Sequence, residues 1–222
     1  MDYITNYSYW NDPDIDIDSL SADCSVLLTR LFTYEESLKL DTEKMGLGLV
    51  AKTDDRYQIR IYHFSFHSGG TRGDISHQVI QWQGNDGKLY SEVLPPEYGF
   101  YEIYPLKTSM NCNFYLLLGG EQASSISITS TFYVLQFIEN ELIRDYPAFV
   151  NRPIISMKNA EISFDSKTQK LSYSFQNLDE NSFYTHYGLF SEKNEFNEKL
   201  LKKLKSYGNN AKTKFNGRKF IE

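Results

Sequence analysis

Residues 113–138 read NFYLLLGGEQASSISITSTFYVLQFI. The stretch spells two long apolar strands, 114–118 and 126–138, around a polar, glycine-led connection. Each strand is apolar on both faces. Phe114, Leu116 and Leu118 alternate with Tyr115 and Leu117, and Phe132 and Val134 alternate with Tyr133, Leu135 and Phe137. A strand that buries both faces belongs in the interior of a thick β structure, not on its edge.

The same period of two runs through the flanking sequence. Residues 45–52 and 56–67 predict a hairpin over Thr53, Asp54 and Asp55, and 75–83 predicts the next strand. Asn85-Asp86-Gly87 is a strong turn signal into a strand at 88–94. Pro95-Pro96 stops it, because proline has no N–H for a ladder. Strands at 99–106, 162–164 and 171–175 follow, the last two as a hairpin over 165–170. Short turns between successive strands require antiparallel pairing. About ten strands do not stay one flat sheet; they split into two packed layers or curve strongly.

Helices are expected near each end. Leu20, Cys24, Leu27, Leu28 and Leu31 make one apolar face at helical period, predicting a helix over 19–32 with Asp18, Ser19 or Ser21 at its N-terminus. Phe196, Leu200, Leu204 and Tyr207 predict a second over 194–207, stopped by Gly208. Asn216-Gly217 then predicts a terminal hairpin over 212–221 with a two-residue turn. The fold class is α+β, predominantly antiparallel β, as a sandwich-like or strongly curved meander. Residues 1–18 form an acidic N-terminal arm, and 19–222 a single β-rich domain with its sheet over 45–176.

Composition narrows the function classes. The net charge of −6 disfavours nucleic acid as a partner. Residues 1–23 hold six Asp and no basic residue, whereas 191–222 hold nine Lys and Arg against four Glu. No run of 18 apolar residues exists, so no membrane span is expected. The start MDYITNYSYW is not a signal peptide. The compartment is cytoplasmic if Met1 is the native start, and periplasmic or extracellular if a leader has been removed. Two cysteines, Cys24 and Cys112, read as buried free thiols.

The candidate ligand-binding residues cluster in one loop: His67, Gly69, Gly70, Thr71, Arg72, Asp74 and His77. Its glycines allow backbone N–H groups to cradle an anion, and Arg72 adds a fork for carboxylate or phosphate. Gly84–Gly87 reads as the neighbouring turn of the same contact surface. His63 and His67 do not make a metal pair, since i and i+4 of a strand are about 13 Å apart. His67 and His77 meet only if the register puts them on one face. Residues 12–18 alternate Asp as half of a calcium loop does, but Ile17 stands where the sharp turn needs glycine. No metal, cofactor or catalytic residue is assigned. Trp82 alternates with Ile80 and reads as core.

Three functions remain. The first is a non-catalytic binding module for an unknown protein or small ligand. The others are a hydrolase with its site on the 67–77 loop and an acidic inhibitor or immunity-type protein that neutralises a basic partner.

Overall fold

The structure is a computed structural model. It describes residues 16–53, 58–67, 74–95, 99–124, 127–149, 153–158, 160–175, 198–199, 202 and 210–221. Among these it is mainly antiparallel β, with thirteen strands in three sheets and one delimited α-helix. The strand count exceeds the ten expected because short strands too brief for a periodic signal join the sheets. Of the helix expected over 194–207, Glu198, Lys199 and Lys202 are helical and the rest lies outside the described residues. Among the described residues no helix is long and apolar enough to cross a membrane.

The chain divides into two compact units, 1–103 with 139–141, and 104–138 with 142–222. In the first, α1 (Ile17–Leu31) precedes a four-stranded meander, β1 (Gly48–Thr53), β2 (Gln58–His67), β3 (Asp74–Gln83) and β4 (Leu89–Val93), hydrogen-bonded in that order. Cys24, Leu28 and Phe32 pack on Tyr62, Phe64 and Val79, so the helix covers one face of the meander. The apolar face drawn from sequence is corrected at one position. Leu27 is 63 % exposed, and the buried stripe runs instead through Ser21, Cys24, Ser25, Leu28 and Phe32. The capping residue also differs: Asp16 Oδ1 accepts the Ser19 N–H at 3.3 Å. Its carboxylate satisfies an N–H that the helix itself leaves without a partner.

In the second unit strands of two sheets share one hydrophobic core. One sheet orders β5 (Gly99–Leu106, of which 99–103 fall in the first unit), β6 (Asn113–Ser124), β7 (Ser127–Ile138) and β8 (Glu141–Ile143, of which Glu141 falls in the first unit), with β9 (Ile154–Lys158) also paired to β7. The other orders β10 (Ala160–Asp165), β11 (Lys170–Phe175), β12 (Asn210–Phe215) and β13 (Phe220–Ile221). The decisive stretch forms its two strands, but the glycine-led segment read as their connection is itself strand: β6 runs on to Ser124, pairing Gly119↔Thr131 through to Ser124↔Ser127. β6 and β7 pair in register Leu116↔Val134, both are interior strands, and Tyr115, Leu116, Leu117, Phe132, Val134, Leu135 and Phe137 are fully buried. Phe132 meets the Tyr173 ring at 5.3 Å and Phe114 the Phe215 ring at 5.6 Å, both edge-on, which joins the two sheets.

The terminal hairpin forms, with a different turn. The last ladder pair is Phe215↔Phe220, and the Asn216 N–H donates to Lys219 O at 3.1 Å, so Gly217 and Arg218 are the connecting residues. Asn216 Oδ1 accepts the N–H groups of Arg218 and Lys219, both at 3.0 Å. Asparagine therefore caps the turn from the position before it, and Gly217 takes the left-handed conformation at φ 94°. Asp165 does the same for the β10–β11 turn. It accepts from the Thr168 hydroxyl at 2.6 Å and from the Lys167 N–H at 2.9 Å, which hold its carboxyl below the usual range.

Candidate functional site

The β2–β3 ladder ends at His67↔Asp74, so these two positions close the hairpin. Gly69, Gly70, Thr71 and Arg72 lie outside the described residues. His77 is not part of that closure. It pairs with Phe64, and its ring stacks on Phe64 at 5.3 Å and 15°. Three steps separate Asp74 from His77, an odd number, so the ladder gives positions 67 and 77 opposite parity. The structure therefore separates two of the seven candidate residues that the sequence grouped. It also separates the loop from the 84–87 turn, which sits at the other end of the ten-residue β3, roughly 30 Å away.

That turn is itself an anchor. Asn140 Oδ1 accepts the Asn85 N–H at 2.8 Å, and Trp82 Nε1 donates to Asn140 O at 3.1 Å. A Cβ on Gly84 would stand 2.5 Å from Asn140 Oδ1 and 2.8 Å from the Tyr90 ring, so any larger residue would push these side chains aside. Tyr90 stacks on Trp82 and donates its hydroxyl to Asp86. Trp82 is 2 % exposed, as its alternation with Ile80 implied. These groups satisfy one another, and their chemistry is structural.

No local pattern marks a second candidate site, which the register of β10, β11 and β12 assembles. Ser163, Ser172 and Lys212 form one cross-strand row, and Glu161 and Ser174 part of the next. Residues 161, 163, 172, 174 and 212 share the face opposite Phe164, Leu171, Tyr173 and Thr213, which are buried. Together with Ile162 and Tyr173 they line a shallow trough of about 270 Å³. Ser174 Oγ donates to Glu161 Oε2 at 3.4 Å. The trough therefore offers three hydroxyls, one carboxylate and one ammonium on a rigid ladder. Alternating Ser and Lys in separate strands reads as an ordinary solvent face until pairing brings them side by side.

Other reactive groups are placed structurally. Cys24 and Cys112 are both buried and free. Burial, with the Asp23 charge beside it, pushes the Cys24 thiol up, away from the nucleophilic thiolate. Among the described residues no three His, Cys, Asp or Glu side chains come together as a metal-binding group. Of the acidic run at 12–18, Asp16 is a helix cap and residues 12–15 lie outside the described residues.

His63 yields a pH prediction. Its ring lies across Gly48, its ladder partner, where any Cβ would collide with the imidazole. Burial there lowers its pKa below the ordinary 6.5. The folded state thus disfavours the protonated ring. Stability should be complete above pH 6.5 and fall as pH drops through the unfolded and then the folded pKa. Urea titrations between pH 7.5 and 5 should show a smaller decline in His63→Gln. Equal slopes in the two proteins would refute the assignment.

No family model, no curated protein and no solved structure matches this chain.

Proposed function

We propose that the chain is a non-catalytic binding module whose contact surface is the polar face of β10–β12. The ligand class is a hydroxylated carboxylate such as an acidic oligosaccharide. Its carboxylate is taken by Lys212, and its hydroxyls by Ser163, Ser172, Ser174 and Glu161. The observation that carries the reading is the Ser163–Ser172–Lys212 row. It aligns donors and acceptors at ladder spacing, and loops play no part in positioning them. A separate contact point, argued from the sequence alone, is the segment between His67 and Asp74 that carries Arg72.

The test is NMR titration of the whole chain with oligouronides and with neutral oligosaccharides of equal length. Oligouronides should bind more tightly, and Lys212→Glu should weaken them at least tenfold, since a hydrogen bond to a charged group contributes about 1.5–3 kcal/mol. Millimolar oligouronide that shifts no β10–β12 resonance would overturn the proposed ligand. Turnover lost in His67→Ala or His77→Ala at unchanged melting temperature would favour the hydrolase reading. A basic partner whose binding weakens steeply with salt would favour the inhibitor.

A further inference from the structure

We propose that the outer face of α1 is a self-association surface, occupied by a second copy of this chain packed antiparallel across a two-fold axis. At about 100° per residue, Ser21, Cys24, Ser25, Leu28 and Phe32 point one way, into the core. Asp23, Val26, Leu27 and Arg30 fall within an arc of about 100° on the opposite side. Val26 and Leu27 are 57 % and 63 % exposed, and Tyr34, just beyond the helix, is 62 % exposed. Single apolar residues on a surface need no partner. Here two branched side chains adjoin, followed by a tyrosine, on a helix whose other face is already committed to the sheet.

The charges select the occupant. An antiparallel pair centred between Val26 and Leu27 sets each residue level with its mirror about that centre. Val26 then faces Leu27 of the second copy, and Asp23 faces Arg30 of the second copy, twice by symmetry. Both charges sit about 5 Å along the axis from the centre. Packed helices lie roughly 8–10 Å apart, within reach of these side chains. On their own helix Asp23 and Arg30 are two turns apart, so neither neutralises the other. A parallel pair would set Asp against Asp and Arg against Arg. Glu35 and Glu36, both exposed beside Tyr34, oppose an anionic membrane. One helix pair is a small interface, so the association belongs to the weak, transient class.

Sedimentation equilibrium of the whole chain, from about 10 µM to about 1 mM, tests it. Reversible monomer–dimer exchange is expected, and Leu27→Glu should raise the dissociation constant at least tenfold. Asp23→Arg should do the same by setting Arg against Arg. The double variant Asp23→Arg, Arg30→Asp should return to within a few fold of the parent, because the pairs are rebuilt with reversed sign. Circular dichroism of each variant should superpose on the parent, separating loss of association from loss of fold. A monomer throughout the range overturns the proposal. So does a dimer indifferent to Leu27→Glu, or a double variant no better than Asp23→Arg alone.

Discussion

Gln81→Leu is expected to lower unfolding free energy by roughly 2–5 kcal/mol, although leucine is close in size and apolar. Gln81 is 1 % exposed and saturated. Its Nε2 donates to Phe32 O at 2.6 Å and to Ser37 Oγ at 2.8 Å, and its Oε1 accepts from the Tyr62 hydroxyl at 3.0 Å. Phe32 directly follows α1, so no later helical N–H reaches its carbonyl. One side chain of β3 therefore closes the helix and fixes the 3₁₀ turn that follows (Glu35–Lys39), whose Ser37 donates onward to Tyr34 O at 2.7 Å. Leucine would strand a carbonyl and a hydroxyl inside the protein, each costing about 1–3 kcal/mol. Urea denaturation measures the loss, and the melting temperature should drop by roughly 5–15 °C. A cycle with Tyr62→Phe separates the terms. With the hydroxyl gone, Gln81→Leu should cost about 1 kcal/mol less than in the parent. Strictly additive costs would mean that the Tyr62–Gln81 bond contributes nothing.

That network marks where sequence reading ends. The β6–β7 pair was legible because consecutive apolar residues on both faces have one explanation, burial between layers. The β1–β4 meander was legible from alternation and from Asn85-Asp86-Gly87, whose Gly87 adopts φ 79°. In β3, by contrast, Gln78 and Gln81 punctuate Val79, Ile80 and Trp82 as solvent-facing residues would. Both are 1 % exposed. A glutamine can be buried when backbone groups from other segments complete its hydrogen bonds, and no local pattern shows where those groups will be. Leu27 fails in the opposite sense: it fits the helical period but falls at the margin of the apolar arc, and the sheet beneath selects Phe32 instead. In the candidate loop, parity along β3 parts His77 from His67. The Ser163–Ser172–Lys212 row was invisible because Lys212 pairs with a strand some forty residues earlier.

Gln78 supplies the other large effect, on the opposite face of β3. Its Nε2 donates to Phe100 O at 2.6 Å, and its Oε1 accepts the Phe100 N–H at 2.8 Å. The carboxamide thus imitates a strand, giving the first turn of β5 the donor and acceptor that a neighbouring backbone would give. Leu94 N–H closes on Gln78 O at 2.9 Å, so both ends of the proline-containing 95–98 connection are tied to this one residue. Gln78→Leu removes both side-chain bonds from a peptide group whose ring is 2 % exposed. The expected cost is again roughly 2–5 kcal/mol. The loss should be local before it is global, because the β6–β7 ladder does not depend on it. Native-state hydrogen exchange should show the Phe100 amide losing protection at least a hundredfold, since 1.4 kcal/mol of opening free energy is tenfold. Amides of Leu116 and Val134 should change only as far as global stability does. Gln78→Glu should be worse at neutral pH than at pH 4, because the carboxylate cannot donate to Phe100 O whereas the protonated acid can. If Phe100 stays protected in Gln78→Leu, then β5 is held by its ladder to β6, and the glutamine merely fills space.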